Sequence, residues 1–152
     1  MPRRAIIKKR PIGVDPVYSN QLVQLLVNQV LSKGKKQLAY QLVYDALTQI
    51  EVQTGNNPIE ILEEAIKNTT PTTVIKASRV RGSTQSAPKD IRPERGRALA
   101  IRWIVSFAKT RSNPGMAKKL ANELLDASQK QGGAFRKREE VHRTAESNRQ
   151  AA

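Results

Sequence analysis

Residues 71–90 read PTTVIKASRVRGSTQSAPKD. No apolar side chain recurs there at three- or four-residue spacing, and the first half is rich in β-branched residues, so the stretch reads as strand. Arg81, Gly82, Ser83 and Thr84 read as a turn, and residues 85–90 as a returning strand. Neither strand has a clean apolar face, and Pro88 confines the return strand to an edge role. An isolated two-stranded ribbon is marginally stable in water. This one carries Lys76, Arg79 and Arg81, so it reads as an arm that gains contacts from a partner. The arm is expected to span about residues 72–90.

The sequence on both sides of the arm is helical. Asp15-Pro16 and Ser19 are expected to start a helix running to Leu31, with Leu22, Leu25, Leu26 and Val30 on its inner face. Gly34 is expected to end it through a left-handed turn. A second helix covers residues 35–52, striped by Leu38, Ala39, Leu42, Val43, Ala46, Leu47 and Ile50. Asn57-Pro58-Ile59-Glu60 reads as a cap, a proline at the first helical position and an acid at the third. The third helix then carries Ile59, Leu62, Ala65 and Ile66 to about Asn68. After the arm, a fourth helix runs from Pro93 to about Arg111, with Leu99, Ile101, Trp103, Ile104, Phe107 and Ala108 as its apolar face. Asn113-Pro114 is expected to cap a fifth, and Gly132-Gly133 to end it. A sixth, about residues 134–147, has only Phe135, Val141 and Ala145 as anchors, so it belongs on the surface or against a partner. The fold expected is mostly α: a six-helix bundle with a protruding two-stranded β-hairpin arm and a basic N-terminal extension. Residues 1–14 form that extension, and residues 15–152 one helical domain.

Charge tells what the bundle faces. The 152 residues hold 27 Lys and Arg against 13 Asp and Glu, a formal charge of +14. Such an excess repels itself unless a polyanion neutralises it. It is also segregated. Residues 1–14 carry Arg3, Arg4, Lys8, Lys9 and Arg10 and no acid, a net of +5. Residues 76–111 carry ten basic side chains against Asp90 and Glu94, a net of +8. Residues 45–67 run the other way, at −4. One side is expected to face a polyanion, the other water or protein.

The chain has no cysteine and one histidine, which excludes disulfides, zinc fingers and thiolate nucleophiles and disfavours a metal site. There is no phosphate-binding glycine loop, nucleophile elbow or metal-spaced histidine pair, so no catalytic residue is assigned and no cofactor or metal is expected. Glu139 and Glu140 are adjacent and diverge on a helix; they are expected to pair with Arg136 and Arg143 on the surface. His142 lies in the same charged helix and has no partner visible in sequence. Asn68-Thr69-Thr70 fits the glycosylation pattern, but no secretory signal or membrane span leads there, and it reads as chance. Trp103 and Phe107 could stack on bases, but their neighbours Leu99, Ile101 and Ile104 place them in the core.

Two basic clusters are harder to explain as solvated surface. Arg92, Arg95, Arg97 and Arg102 lie at or near the start of one helix, where cations oppose the positive end of the macrodipole. Lys33, Lys35 and Lys36 surround Gly34 in a tight turn, where three ammoniums can converge on phosphate. With the N-terminal cations, Lys76 and Arg79, these form the expected phosphate-binding set. An architectural DNA-binding protein with a β-ribbon would share the charge and size; a nuclease would need a carboxylate cluster that is missing.

The order of certain segments adds a resemblance covering nearly the whole chain. The segments are Pro2-Arg3-Arg4, Asp15-Pro16-Val17-Tyr18, Val27-Asn28, Gly34-Lys35-Lys36 and Val43-Tyr44-Asp45-Ala46-Leu47. They continue with Gly82-Ser83-Thr84, Ala98-Leu99-Ala100-Ile101-Arg102-Trp103 and Lys137-Arg138-Glu139-Glu140-Val141-His142-Arg143. Together they resemble the family of the seventh protein of the small ribosomal subunit, bacterial and organellar type. The resemblance implies six helices with a hairpin between the third and fourth. It implies a non-enzymatic structural constituent of the ribosome that binds the 3′ major domain of small-subunit rRNA, to which it assigns that phosphate-binding set, and nucleates assembly of the head. It places the hairpin tip (Arg81, Gly82, Ser83, Thr84, Gln85) near exit-site tRNA and messenger RNA, with neighbouring head and platform proteins as further partners. Two departures stand out: Arg81 precedes Gly82 where the family usually has two glycines, and the sequence after Asn148 lacks the usual aromatic and basic tail. Gly55-Asn56-Asn57 and residues 98–103 look most like cyanobacterial and plastid members. With no transit peptide, the expected place of work is the plastid stroma, or alternatively a bacterial cytoplasm.

Overall fold

The first helix begins later than the sequence suggests. A computed structural model describes residues 11–80 and 83–150, and in it α1 covers Gln21–Val30. Asp15 does not cap that helix. Its carboxylate accepts from Val17 N and Tyr18 N at 3.0 and 2.9 Å and closes a separate turn. The cap is Asn20, whose side chain accepts from Leu22 N at 2.7 Å. The buried stripe is Val23, Leu26, Val27 and Val30; Leu22 and Leu25 flank it, half-buried. Gly34 is left-handed, as expected, but α1 has already ended at Leu31. Gly34 and Lys33, with φ of 77° and 52°, instead turn the chain into the next helix.

Helix α2 (Lys36–Thr54) stops at Gly55, whose φ of 67° supplies the left-handed C-cap. Its expected stripe is buried or half-buried except Leu38, which is half-exposed. Tyr44 on its inner side donates to Asp15 Oδ1 at 2.8 Å. Burial first, and then that carboxylate, hold the phenol protonated well above its ordinary range. Helix α3 (Pro58–Thr69) starts as the sequence indicates: Asn57 accepts from Ile59 N at 3.0 Å and Pro58 takes the first turn.

Strands β1 (Thr73–Val80) and β2 (Ser83–Asp90) pair antiparallel as a two-stranded hairpin. Val80 pairs with Ser83, so the connection is two residues long. Ser83 and Thr84 therefore belong to the strand and not to the expected four-residue turn; Arg81 and Gly82 lie outside the described residues. A bond from Ile91 N to Thr72 O at 3.0 Å sets the phase of the ladder. Hydrogen-bonded pairs alternate with non-bonded ones, and Ile75↔Pro88 falls on a non-bonded pair, where the missing N–H costs nothing.

Helices α4 (Pro93–Thr110), α5 (Met116–Ser128) and α6 (Gly132–Gln150) complete the chain. Two expectations fail here. Gly115, at φ 79°, occupies the N-cap of α5 in place of Asn113-Pro114. Gly132-Gly133 does not end α5, which stops at Ser128; Gly132, at φ 87°, opens α6. Gly133 is needed for space: a Cβ there would lie 2.5 Å from Phe107 Cδ1. Helix α5 is central, packing against α2, α3, α4 and α6 through the fully buried Leu120, Ala121, Leu124 and Ala127. Helix α6 lies along the hairpin, α3, α4 and α5, held by the buried Ala134 and Ala145. Trp103 and Phe107 pack half-buried against the core.

Candidate nucleic-acid interface

The helix starts divide into two kinds. Those of α1 and α3 are capped by asparagine side chains, Asn20 and Asn57. Those of α2, α4 and α5 have Lys35, Arg92 and Gly115 at the N-cap and no side-chain capping bond, and in the first two the cap residue is itself a cation. An uncapped helix start presents backbone N–H groups and the positive end of the macrodipole. Lysines or arginines placed there add to that field, and an anion is what such a site accommodates.

At the start of α2, Lys33, Lys35 and Lys36 are all exposed. The turn is tied by Lys35 N to Ser32 O at 3.1 Å and Lys36 N to Gly34 O at 2.8 Å. The Lys36 ammonium sits 5.5 Å from the Tyr40 ring centroid, and the helix has no acid in its first turn. Gly34, Lys35, Lys36, Gln37, Leu38 and Gln41 line a shallow surface cleft of about 560 Å³. Lys35 and Lys36 thus line one cleft, while Lys33 is exposed in the turn that precedes it.

On α4 the arginines separate. Residues seven apart on a helix return to within about 20° of one direction. Arg95, Arg102 and Lys109 share such a stripe, and all three are exposed. Arg97, two residues after Arg95, points to another side although it is also exposed. Glu94 is the single acid in the first turn. Lys109 was not singled out by the sequence reading, although its spacing from Arg95 and Arg102 carries the signal. On the hairpin, Lys76 pairs with Ala87 and Val74 with Lys89, so Lys76 and Lys89 project from one face of the ribbon. Arg79 pairs with Thr84 in the ladder. Arg3, Arg4, Lys8, Lys9 and Arg10 lie outside the described residues, as does Arg81.

None of Lys33, Lys35, Lys36, Lys76, Arg92, Arg95, Arg97 and Arg102 has an acidic partner among the described residues. The ion pairs that do form lie elsewhere. Arg111 bridges Glu123 and Asp126, and Lys137 meets Glu140 at 2.8 Å. The expected pairing of Glu139 and Glu140 with Arg136 and Arg143 is therefore replaced by the Lys137–Glu140 contact. The acids of the −4 segment form their own stripe. Glu60, Glu63 and Glu64 follow one exposed face of α3, broken only by Lys67.

The described residues contain no cluster of three or more metal-ligating side chains, and no described helix is long and apolar enough to cross a membrane. Asn68 is not an open acceptor: its Nδ2 donates to Ala127 O and Ser128 O at 3.2 and 2.8 Å.

A family model described as Ribosomal protein S7p/S5e matches residues 2–149. The small ribosomal subunit protein uS7 of Gloeothece citriformis is 49% identical over 149 residues, covering 98% of this chain and 96% of that protein. That of Synechocystis is 48% identical over the same coverage. The protein uS7c of Nephroselmis olivacea is also 48% identical, again over 98% and 96% of the two chains.

Proposed function

Because the chain belongs to the Ribosomal protein S7p/S5e family, a structural and non-enzymatic family of the small ribosomal subunit, we propose that it binds the 3′ major domain of small-subunit rRNA and nucleates assembly of the subunit head. The observation that carries this reading is the pair of uncapped, cation-rich helix starts, at Lys33, Lys35 and Lys36 and at Arg92, Arg95 and Arg97. None of these cations forms an ion pair among the described residues, not even with Glu94 in the first turn of α4, and phosphate is the group that would complete both. Arg102, Lys76 and Arg79 extend the contact along α4 and the hairpin. Residues 1–14, with Arg3, Arg4, Lys8, Lys9 and Arg10, add a basic arm to the helical domain of residues 15–152.

The hairpin tip, residues 81–85, works near exit-site tRNA and the messenger path. Neighbouring head and platform proteins are the protein partners, and the acid stripe of α3 faces away from RNA. Similarity to cyanobacterial and plastid relatives supports work in the plastid stroma or, alternatively, a bacterial cytoplasm.

A competition measurement tests the reading. The purified chain should prefer a folded rRNA fragment of the 3′ major domain over random duplex DNA of equal length. Equal affinity for the two would favour an architectural DNA-binding role and overturn the ribosomal one.

A further inference from the structure

The hairpin leaves the helical body at Thr72, and its direction depends on what grips that point. Helix α6 grips it from one side. Phe135, Arg138 and His142 are spaced by three and four residues, so they share one face of α6. Arg138 stacks on Phe135, with 4.7 Å between guanidinium carbon and ring centroid, and donates from Nη1 to Asn68 O at 2.8 Å. Asn68 lies in the last turn of α3 and is itself fastened to the end of α5 through Ala127 O and Ser128 O. One turn further along α6, His142 Nε2 accepts from Thr72 N at 3.1 Å, with Thr72 Oγ1 at 3.4 Å. Helix α4 grips the same root. Gly96 is buried where a Cβ would lie 2.9 Å from Thr70 Cγ2 and 3.2 Å from Pro71 O.

We propose that His142, with Arg138 beside it, is a positioning residue that fixes the direction of the hairpin by holding the Thr72 amide. The bond demands the tautomer with its proton on Nδ1, because Nε2 must accept. An accepting atom at that place is what matters, and not the bulk of an imidazole. Leverage makes the contact consequential. Ser86 lies five residues from Ile91 at the root, about 17 Å along the strand at 3.3–3.4 Å per residue. A swing of about 10° at the root moves it by about 3 Å over that length. The use of a fixed direction rests on the reading of the hairpin as the arm that meets tRNA and messenger; the latch itself does not.

The absence of cysteine permits a clean test. Nitroxides on Val52→Cys and Ser86→Cys, both exposed positions, report the distance between body and arm by pulsed electron spin resonance. His142→Ala should widen or shift the distribution by about 3 Å, the swing estimated above. His142→Gln, whose Oε1 can accept from the same amide, should restore it. An unchanged distribution in His142→Ala, or equal widening in His142→Gln, overturns the proposal. Should His142→Ala fail to fold, ¹⁵N shifts of the imidazole in the unsubstituted protein decide. The Nδ1–H form supports the latch and the Nε2–H form overturns it. Binding to the rRNA head fragment is measured on the same labelled proteins. Loss of that binding with the distance behaviour intact supports the latch and removes the ribosomal reading alone.

Discussion

Glu123 is the most deeply buried acid, 1% exposed, and it joins three helices. Its Oε2 accepts from Arg111 Nε at 2.6 Å at the end of α4, and its Oε1 accepts from Ala134 N at 3.0 Å in the first turn of α6. Glu123→Ala leaves a guanidinium short of a partner and a buried N–H unsatisfied. The expected cost is about 3 kcal/mol, read from urea unfolding midpoints. The sequence contained the signal without its meaning. Glu123 falls inside the stripe of Leu120, Ala121 and Leu124, and an acid there must be paired, but the partner on another helix emerges only from packing. Asp15 is a similar case: its residue type suits a helix cap, yet it closes the preceding turn and holds Tyr44. His142 yields a pH prediction. Burial first, then Arg138, lower its value, against an upward pull from Glu146. The unfolded chain therefore binds the proton at higher pH than the folded one. The associated stability is whole above about 6.5 and declines as pH falls from there through the folded value. Urea midpoints at about pH 8 and 5.5 should differ less in His142→Gln than in the unsubstituted protein.

At the scale of elements, α4 has a packed side and an exposed basic one. Its buried side is Ala100, Ile101, Ile104, Val105 and Ala108, and its outward stripe is Arg95, Arg102 and Lys109. Replacing Arg95 and Arg102 by alanine should leave thermal stability within about 0.5 kcal/mol, as for surface positions generally. It should weaken binding to the rRNA fragment and flatten its salt dependence by about two phosphate contacts. A lowered melting point with unchanged binding would reverse the assignment. Helices α2, α3 and α4 were legible almost to their ends, because each has a strong apolar period and proline or glycine at a boundary. The starts of α1, α5 and α6 were not. Glycine can end one helix or open the next, and at Gly132-Gly133 the setting is tertiary: a Cβ at 133 would lie 2.5 Å from the Phe107 ring of α4, a neighbour that local sequence does not express. The clusters of the candidate interface were legible as charge. That Arg97 diverges from Arg95 and Arg102 required the helix phase, and the hold of α6 on the hairpin root has no local signature at all.

For the whole molecule, the phosphate contacts should act together. If the two helix starts and the hairpin touch about six to ten phosphates, affinity should fall by about 10³–10⁵ between 50 and 200 mM salt. A nearly flat salt response would show that few of these cations meet RNA. The arm is expected to be separable from the body. Removing residues 81–84 and closing the turn should leave rRNA binding and subunit sedimentation intact while altering exit-site tRNA retention. Failure to assemble would make the tip an rRNA anchor. The acid stripe of α3 has a consequence before any contact forms. The chain's +14 less the −4 of residues 45–67 leaves +18 on the remainder, so the molecule is an electric dipole as well as a cation. A polyanion repels that stripe while it attracts the remainder, and approach with Glu60, Glu63 and Glu64 turned outward is the expected result. Collisions that begin in the wrong orientation are corrected in flight, and fewer encounters are wasted.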